Sequence, residues 1–171
     1  EKTSLLKNNQ NLLIEQVQEQ NDYIKTNTSN VYIELGFTYL CKYLIWNLPY
    51  EYVLNSAKIT FNNNDLFSEL DGEYFNLIQP MQNKLGNSNS FSRLEYNKNI
   101  NGTYYMYSFC LYPNQNQPSG LCNMSRIDNK FLYYNVEHRK PGTASTNILF
   151  STFAVNYNFL IINKGKCKLV F

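Results

Sequence analysis

"FAVNYNFLI", residues 153–161, changes character at every step. Phe153, Val155, Tyr157, Phe159 and Ile161 fall on one side, and Ala154, Asn156, Asn158 and Leu160 on the other. Successive side chains leave an extended backbone on opposite faces, so a period of two marks a strand. The same period recurs along the chain. In "VYIELGF", Val31, Ile33, Leu35 and Phe37 share a face, with Tyr32 and Glu34 opposite. In "AKITF", Ala57, Ile59 and Phe61 point inward, and Lys58 and Thr60 outward. In "YYMYSFCL", Tyr105, Tyr107, Phe109 and Leu111 alternate with Tyr104, Met106, Ser108 and Cys110. The closing "KCKLVF" sets Cys167, Leu169 and Phe171 on one side.

"KYLIWNL" (42–48) is apolar on both faces and reads as a more central strand, and "FLYYNV" (131–136) reads as another. Turn-forming runs at 62–65, 86–90, 97–102, 113–120, 139–142 and 163–166 punctuate these segments. About seven to nine short strands without a βαβ rhythm predict an all-β sandwich or barrel. Two segments resist that pattern. "LLKNNQNLLIEQVQEQ" (5–20) is helical by propensity, yet fits a strand with Leu13, Glu15 and Val17 opposite Leu12, Ile14 and Gln16. "SELDGEYFNLI" (68–78) reads as a short helical excursion capped by Ser68, inside a long connection through Gln79 and Pro80.

A chain of 171 residues is long enough for one domain with a real core. Its 16% aromatic and 16% charged residues argue against disorder. A net charge of +2 gives no footprint for direct nucleic-acid binding. Asparagine makes up roughly one residue in six, a bias expected in part from an AT-rich genome. No apolar run is long enough for a transmembrane helix, and no signal peptide opens the chain. A first residue that is Glu1 rather than Met points to processing or to a piece of a longer polypeptide.

Chemistry is sparse. The single histidine, His138, sits in "EHRKPG", a polar strand end or turn, and a lone histidine supports neither a hydrolytic triad nor a cupin metal site. Cys41, Cys110, Cys122 and Cys167 form no C-x-x-C pair and read as partly buried free thiols of a reducing compartment, with one or two bridges as the alternative. Glu69, Asp71 and Glu73 cluster, but at the start of a helical turn, where acids suit the helix dipole. No phosphate-binding glycine motif occurs. Asn27, Asn101 and Asn123 open glycosylation patterns of the kind chance supplies in an Asn-rich chain. The reading is therefore of a non-enzyme without metal or cofactor.

The densest run of unusual residues is "QPSGLCNMSRIDN" (117–129). Gln117, Pro118, Ser119 and Gly120 predict a tight turn, with Pro presetting one φ and Gly allowing a positive one. A strand is expected to follow, with Cys122, Met124, Arg126 and Asp128 on one face and Leu121, Asn123, Ser125 and Ile127 on the other. Arg126 and Asp128 would then lie side by side and pair with each other or with a neighbouring strand or subunit.

Together with its upstream flank, this run resembles the "YSFAL-P-QPSG-CNFSRIDN" segment of the major capsid proteins of nucleocytoplasmic large DNA viruses. That family includes iridoviruses, phycodnaviruses, mimivirus-like viruses and African swine fever virus. Further blocks agree in order. "LLIEQVQ" (12–18) is similar to the family's "YLIEQVQ", and "KYLIWNL" to "KELIWVVQ". "SAKITFNNNDLFSELDGEYFNLIQPMQ" (56–82) resembles "AKLQLNGQDRF…YFRLVQPYQ". "FAVNYNFLIINKGKCKLVF" (153–171) resembles the closing "YAVNYNVLRI-GMGGLAY". Local departures are Thr38-Tyr39, where the family often has His-Pro, and Lys164, Lys166 and Lys168, where it is small and apolar.

The resemblance covers about residues 4–171 and implies an eight-stranded antiparallel jelly roll with the helical excursion near 68–78. It resolves residues 5–20 in favour of a strand. It implies that residues 1–171 are one jelly roll, the C-terminal half of a double jelly roll whose first half is absent here. The implied function is that of a virion subunit forming homotrimers, hence pseudo-hexameric capsomers of an icosahedral shell assembled in the host cytoplasm. Neighbouring capsomers, minor capsid proteins and a nearby inner viral membrane are the implied partners. Gln117, Pro118, Ser119, Gly120, Asn123, Ser125, Arg126 and Asp128 become architectural residues, expected to fix a corner of the roll and orient subunit contacts. A transient poxvirus-like scaffold and a stand-alone glycan- or receptor-binding jelly roll are the alternatives.

Overall fold

A computed structural model describes residues 10–25, 29–49, 51–83, 103–138 and 147–170. The first strand, β1 (Gln10–Lys25, 16 residues), runs antiparallel along β10 (Asn147–Asn163) from Asn147 to Ile162. β10 pairs with β3 (Leu40–Leu48), and β3 with β7 (Thr103–Ser108). β8 (Cys122–Asn123) extends the edge beside β3, and β11 (Lys166–Leu169) folds back on β10. The second sheet runs β2 (Asn30–Glu34), β9 (Lys130–His138), β4 (Tyr52–Phe61). Beside β4 lie β5 (Asn64–Asp65) and β6 (Leu70–Asp71), two residues each.

Successive long strands switch sheets, and the first pairs with the last long one, which is the winding of a jelly-roll sandwich. Among the described residues the sheets contain six and five strands, not eight in all. The surplus is the three two-residue strands, β5 and β6 beside β4 and β8 beside β3; the eight longer strands are those of the jelly roll. Residues 10–25 are a strand despite their helical propensity, because pairing with β10 outweighs a weak local preference.

The core is built from the inward faces. Val31, Ile33, Leu35 and Phe37 are all buried, as are Leu44, Trp46 and Leu48 of the central strand β3. Tyr134 of β9 stacks on Phe150 of β10 across the sandwich, with centroids 4.7 Å apart. The excursion after β6 is a wide π-turn over Tyr74–Ile78 that runs into helix α1 (Gln79–Gln82). It begins after β6 and not at Ser68, because Leu70 and Asp71 still pair with β4. Its Phe75 is fully buried against Trp46 and Phe67, at 5.3 and 5.8 Å, and plugs the core. Burying a side chain of this size stabilises by about 2–3 kcal/mol.

Several side chains depart from simple alternation. Thr60 is buried rather than outward. β7 stops at Ser108, so Leu111 is exposed while Met106, on the opposite face from Tyr105, is buried. Both faces of β10 are covered between Val155 and Asn158. β11 forms as a strand, yet Cys167 and Leu169 are exposed because nothing lies over the hairpin among the described residues. The turns at 62–65 and 163–166 occur as read, with Asn62, Asn63, Lys164 and Gly165 all at positive φ, the conformation two-residue hairpins favour. The turns expected at 86–90, 97–102 and 139–142, and residues Asn27, Asn101 and Phe171, lie outside the described residues.

Candidate functional site

Residues 109–130 carry the chain from β7 in the first sheet to β9 in the second, and contain the dense run. The loop after β7 turns at 113–114, where the Gln115 amide donates to the Tyr112 carbonyl (3.1 Å). Residues 117–120 are not themselves a hydrogen-bonded turn. They close the larger loop: Ser119 Oγ accepts from the Tyr112 amide (2.8 Å), and the Ser119 carbonyl accepts from Leu111 (3.4 Å). Gly120 has φ 143°, and a Cβ there would sit 2.9 Å from the Phe109 carbonyl oxygen. Glycine is therefore required twice, for the angle and for the approach.

The strand expected over 121–128 is not continuous. Only Cys122 and Asn123 pair, opposite Cys41 and Leu40; Met124–Arg126 then forms one 3-10 turn. A three-residue turn breaks the face assignment. Met124 is fully buried, whereas Arg126 and Asp128 are exposed and form no salt bridge with each other. The pairing of these two residues with each other is thus absent.

What the segment holds together is the crossing of the two sheets. The Tyr39 amide donates to Ser125 Oγ (2.8 Å), and the Tyr39 carbonyl accepts from Met124 (2.9 Å). Tyr39 has φ 72°, an unfavourable angle for a side chain, at the point where the chain passes from β2 to β3. Lys130 is buried, and its ammonium donates to the carbonyls of Met124 (3.2 Å) and Ile127 (2.8 Å). The Asn62 side chain accepts from the amides of Asp128 and Asn129 (3.2 Å each), and the Asn62 amide donates to the Asn129 carbonyl (2.7 Å). One short segment thereby ties together the β2–β3 crossing, the β4–β5 hairpin and the start of β9. Gln117 and Pro118 are exposed, and Asn123 is half-buried.

The preceding loop covers the outer face of the first sheet around Lys42. This lysine is the extra residue of a β-bulge, since Tyr43 pairs with Val155 and Cys41 with Asn156. The bulge leaves Cys41 in the core and Lys42 buried elsewhere, where its ammonium pairs with Glu15 and donates to the Gln115 carbonyl (3.1 Å). It also lies 5.2 Å from the Tyr157 ring.

Sequence reasoning missed a second clasp. Gln20 of β1 accepts from the Gly36 amide (2.8 Å) and donates to the Glu34 carbonyl (2.7 Å), and Gln18 exchanges bonds with Thr38. Buried Asn156 and Asn158 donate to Gln18 and Gln16. These amides have structural work beyond any codon bias. The other flagged groups are placed plainly. His138 ends β9 with its ring edge-on to Tyr52 at 4.8 Å. Glu69 accepts from the Ser56 hydroxyl, and Asp71 from the Glu73 amide.

A sequence model described as the large eukaryotic DNA virus major capsid protein matches residues 47–167, from the end of β3 to the start of β11, with the whole crossing segment between. The chain belongs to this family. The major capsid protein of Phaeocystis pouchetii virus is 39% identical over 67% of this chain, which covers 20% of that protein. The major capsid protein of Pyramimonas orientalis virus is 33% identical over 93% of this chain, covering 42% of that protein. A chain from a quasi-atomic model of the PBCV-1 virus capsid superimposes with a TM-score of 0.78 at 25% identity, over 99% of this chain and 53% of that one. The chain thus spans from about a fifth to about half the length of these major capsid relatives.

Proposed function

We propose that this chain is the second, C-terminal jelly roll of a major capsid protein, and that the full polypeptide assembles as a homotrimer into pseudo-hexameric capsomers of an icosahedral shell. The observation that carries this reading is the fit of the whole chain to about half of a PBCV-1 capsid chain. A polypeptide of twice this length has room for one further roll. The role is structural rather than enzymatic: antiparallel strands satisfy the backbone internally and leave loops free for contacts between subunits. Within the dense run, Ser119, Gly120 and Ser125 hold the corner together. Gln117, Pro118, Arg126 and Asp128 are exposed and are assigned to contacts with the neighbouring subunit. Assembly in host cytoplasm, beside minor capsid proteins and an inner membrane, belongs to the same reading.

Light scattering on the purified full-length protein tests it directly. A mass three times that of the polypeptide is expected. A stable monomer across the micromolar range would overturn trimer formation. Arg126→Ala with Asp128→Ala is expected to weaken the trimer while leaving the melting temperature of the subunit unchanged; unaltered trimer mass on dilution would remove these residues from the interface.

A further inference from the structure

The crossing segment carries three of the four cysteines, or lies directly against them. Cys122 of β8 is the register partner of Cys41 of β3, roughly 80 positions earlier. Residues directly opposite in an antiparallel pair have Cα atoms about 4.5–5.5 Å apart, inside the span of about 4.4–6.8 Å that a disulfide bridges. The two side chains share a face, because Cys41 belongs to the core and Cys122 packs against it. Cys110, also buried, is close enough for its charge to be felt at Cys41, and its thiol lies 3.5 Å from Ser108 Oγ. Cys167, exposed on β11, stands apart from this group.

We infer that Cys41 and Cys122 form an oxidisable dithiol, a modification site that locks the crossing segment onto β3 when a disulfide-bearing oxidant reaches it. The two thiols have different access. Cys41 is fully buried and its thiol donates to the Tyr43 carbonyl, whereas Cys122 is half-buried on a two-residue strand. Burial pushes both thiols upward, and at Cys122 the nearby Lys130 ammonium pulls the other way. Cys122 is therefore the entry point. Its thiolate attacks the oxidant's disulfide, releasing one thiolate and forming a mixed disulfide. The Cys41 thiolate then attacks the Cys122 sulfur and releases the second. The protein loses two electrons and two protons, which leave as two thiols of the reduced oxidant. Because β8 must open for the first attack, the reaction is slow in the folded subunit.

Oxidised glutathione is a suitable probe on the full chain, followed by proteolysis and mass spectrometry without reduction. The expected product is a peptide pair joining residues 41 and 122, two hydrogens lighter than the free thiols. The melting temperature should rise by about 5 °C or more, reversibly with dithiothreitol. Cys122→Ser should abolish both effects, and Cys167→Ser neither. A link through Cys110, or glutathione captured on Cys167 alone, would overturn the assignment. So would four unreacted thiols after exposure long enough to cover opening of β8. The mapping is made on the unmutated chain, so it stands even where a cysteine variant folds poorly.

Discussion

Gly72 illustrates how tightly single residues are held. A Cβ at this position would sit 2.0 Å from the Leu54 carbonyl oxygen, a backbone atom of β4 that cannot swing away. Gly72→Ala should cost about 3 kcal/mol or more, through strain of the kind that produces the largest mutational effects. Gly36→Ala is the control, since its Cβ would meet only the end of the Gln20 side chain at 3.4 Å. Its effect should stay within about 1 kcal/mol, and urea denaturation of the two variants checks the contrast. At Lys42 the ammonium is buried, but its partner Glu15 has a side chain 41% exposed. Lys42→Met should therefore cost about 1–2 kcal/mol, less than breaking a fully buried pair.

Titration behaviour follows from the same burial. Cys41, Cys122, Tyr134 and Tyr157 all ionise above their ordinary values of 9.0 and 10.0, chiefly because burial penalises the anion. The unfolded chain loses these protons first. The stabilisation is complete below the ordinary values and declines as pH rises through and beyond them. Thermal melts should be flat up to about pH 8.5 and fall steadily above it. Neither Lys42 nor Gly72 announced its role in the sequence. A bulge is set by the register between strands, and a close backbone approach by the packing of β6 on β4, so neither leaves a periodic mark.

At the level of elements, the strands were legible where one face meets the core and the other meets solvent. "VYIELGF" is the clear case, with four buried apolar residues alternating with exposed Tyr32 and Glu34. Alternation failed where a second layer covers the outer face, as over Tyr157 and Lys42, and where an element is too short to repeat. Met124–Arg126 is one such element, and its misreading as strand carried the Arg126–Asp128 pair with it. The crossing segment works through its small residues instead. Ser125→Ala removes the acceptor that holds Tyr39 in its unfavourable backbone angle, and should cost about 1 kcal/mol. Arg126→Ala and Asp128→Ala should each stay within about 0.5 kcal/mol in the isolated subunit, as exposed side chains outside any ion pair among the described residues do. Differential scanning calorimetry on the three variants separates the two groups.

For the whole molecule, the ordered blocks of sequence led to the family, and the winding of the two sheets agrees with it. Local periodicity supplied the all-β class, but strand order depends on long-range pairing such as that of β1 with β10, which no short window contains. The central claim is that this chain is a jelly roll of a shell-forming capsid subunit. Cryo-electron microscopy of particles containing the full-length protein, at side-chain resolution, tests it most directly. The account predicts an icosahedral lattice of trimers in which Trp46, Tyr134 and Phe75 fill the second roll of each subunit and residues 117–128 lie at a boundary between subunits. A mature shell lacking this chain, or one in which residues 117–128 face open solvent, would contradict it.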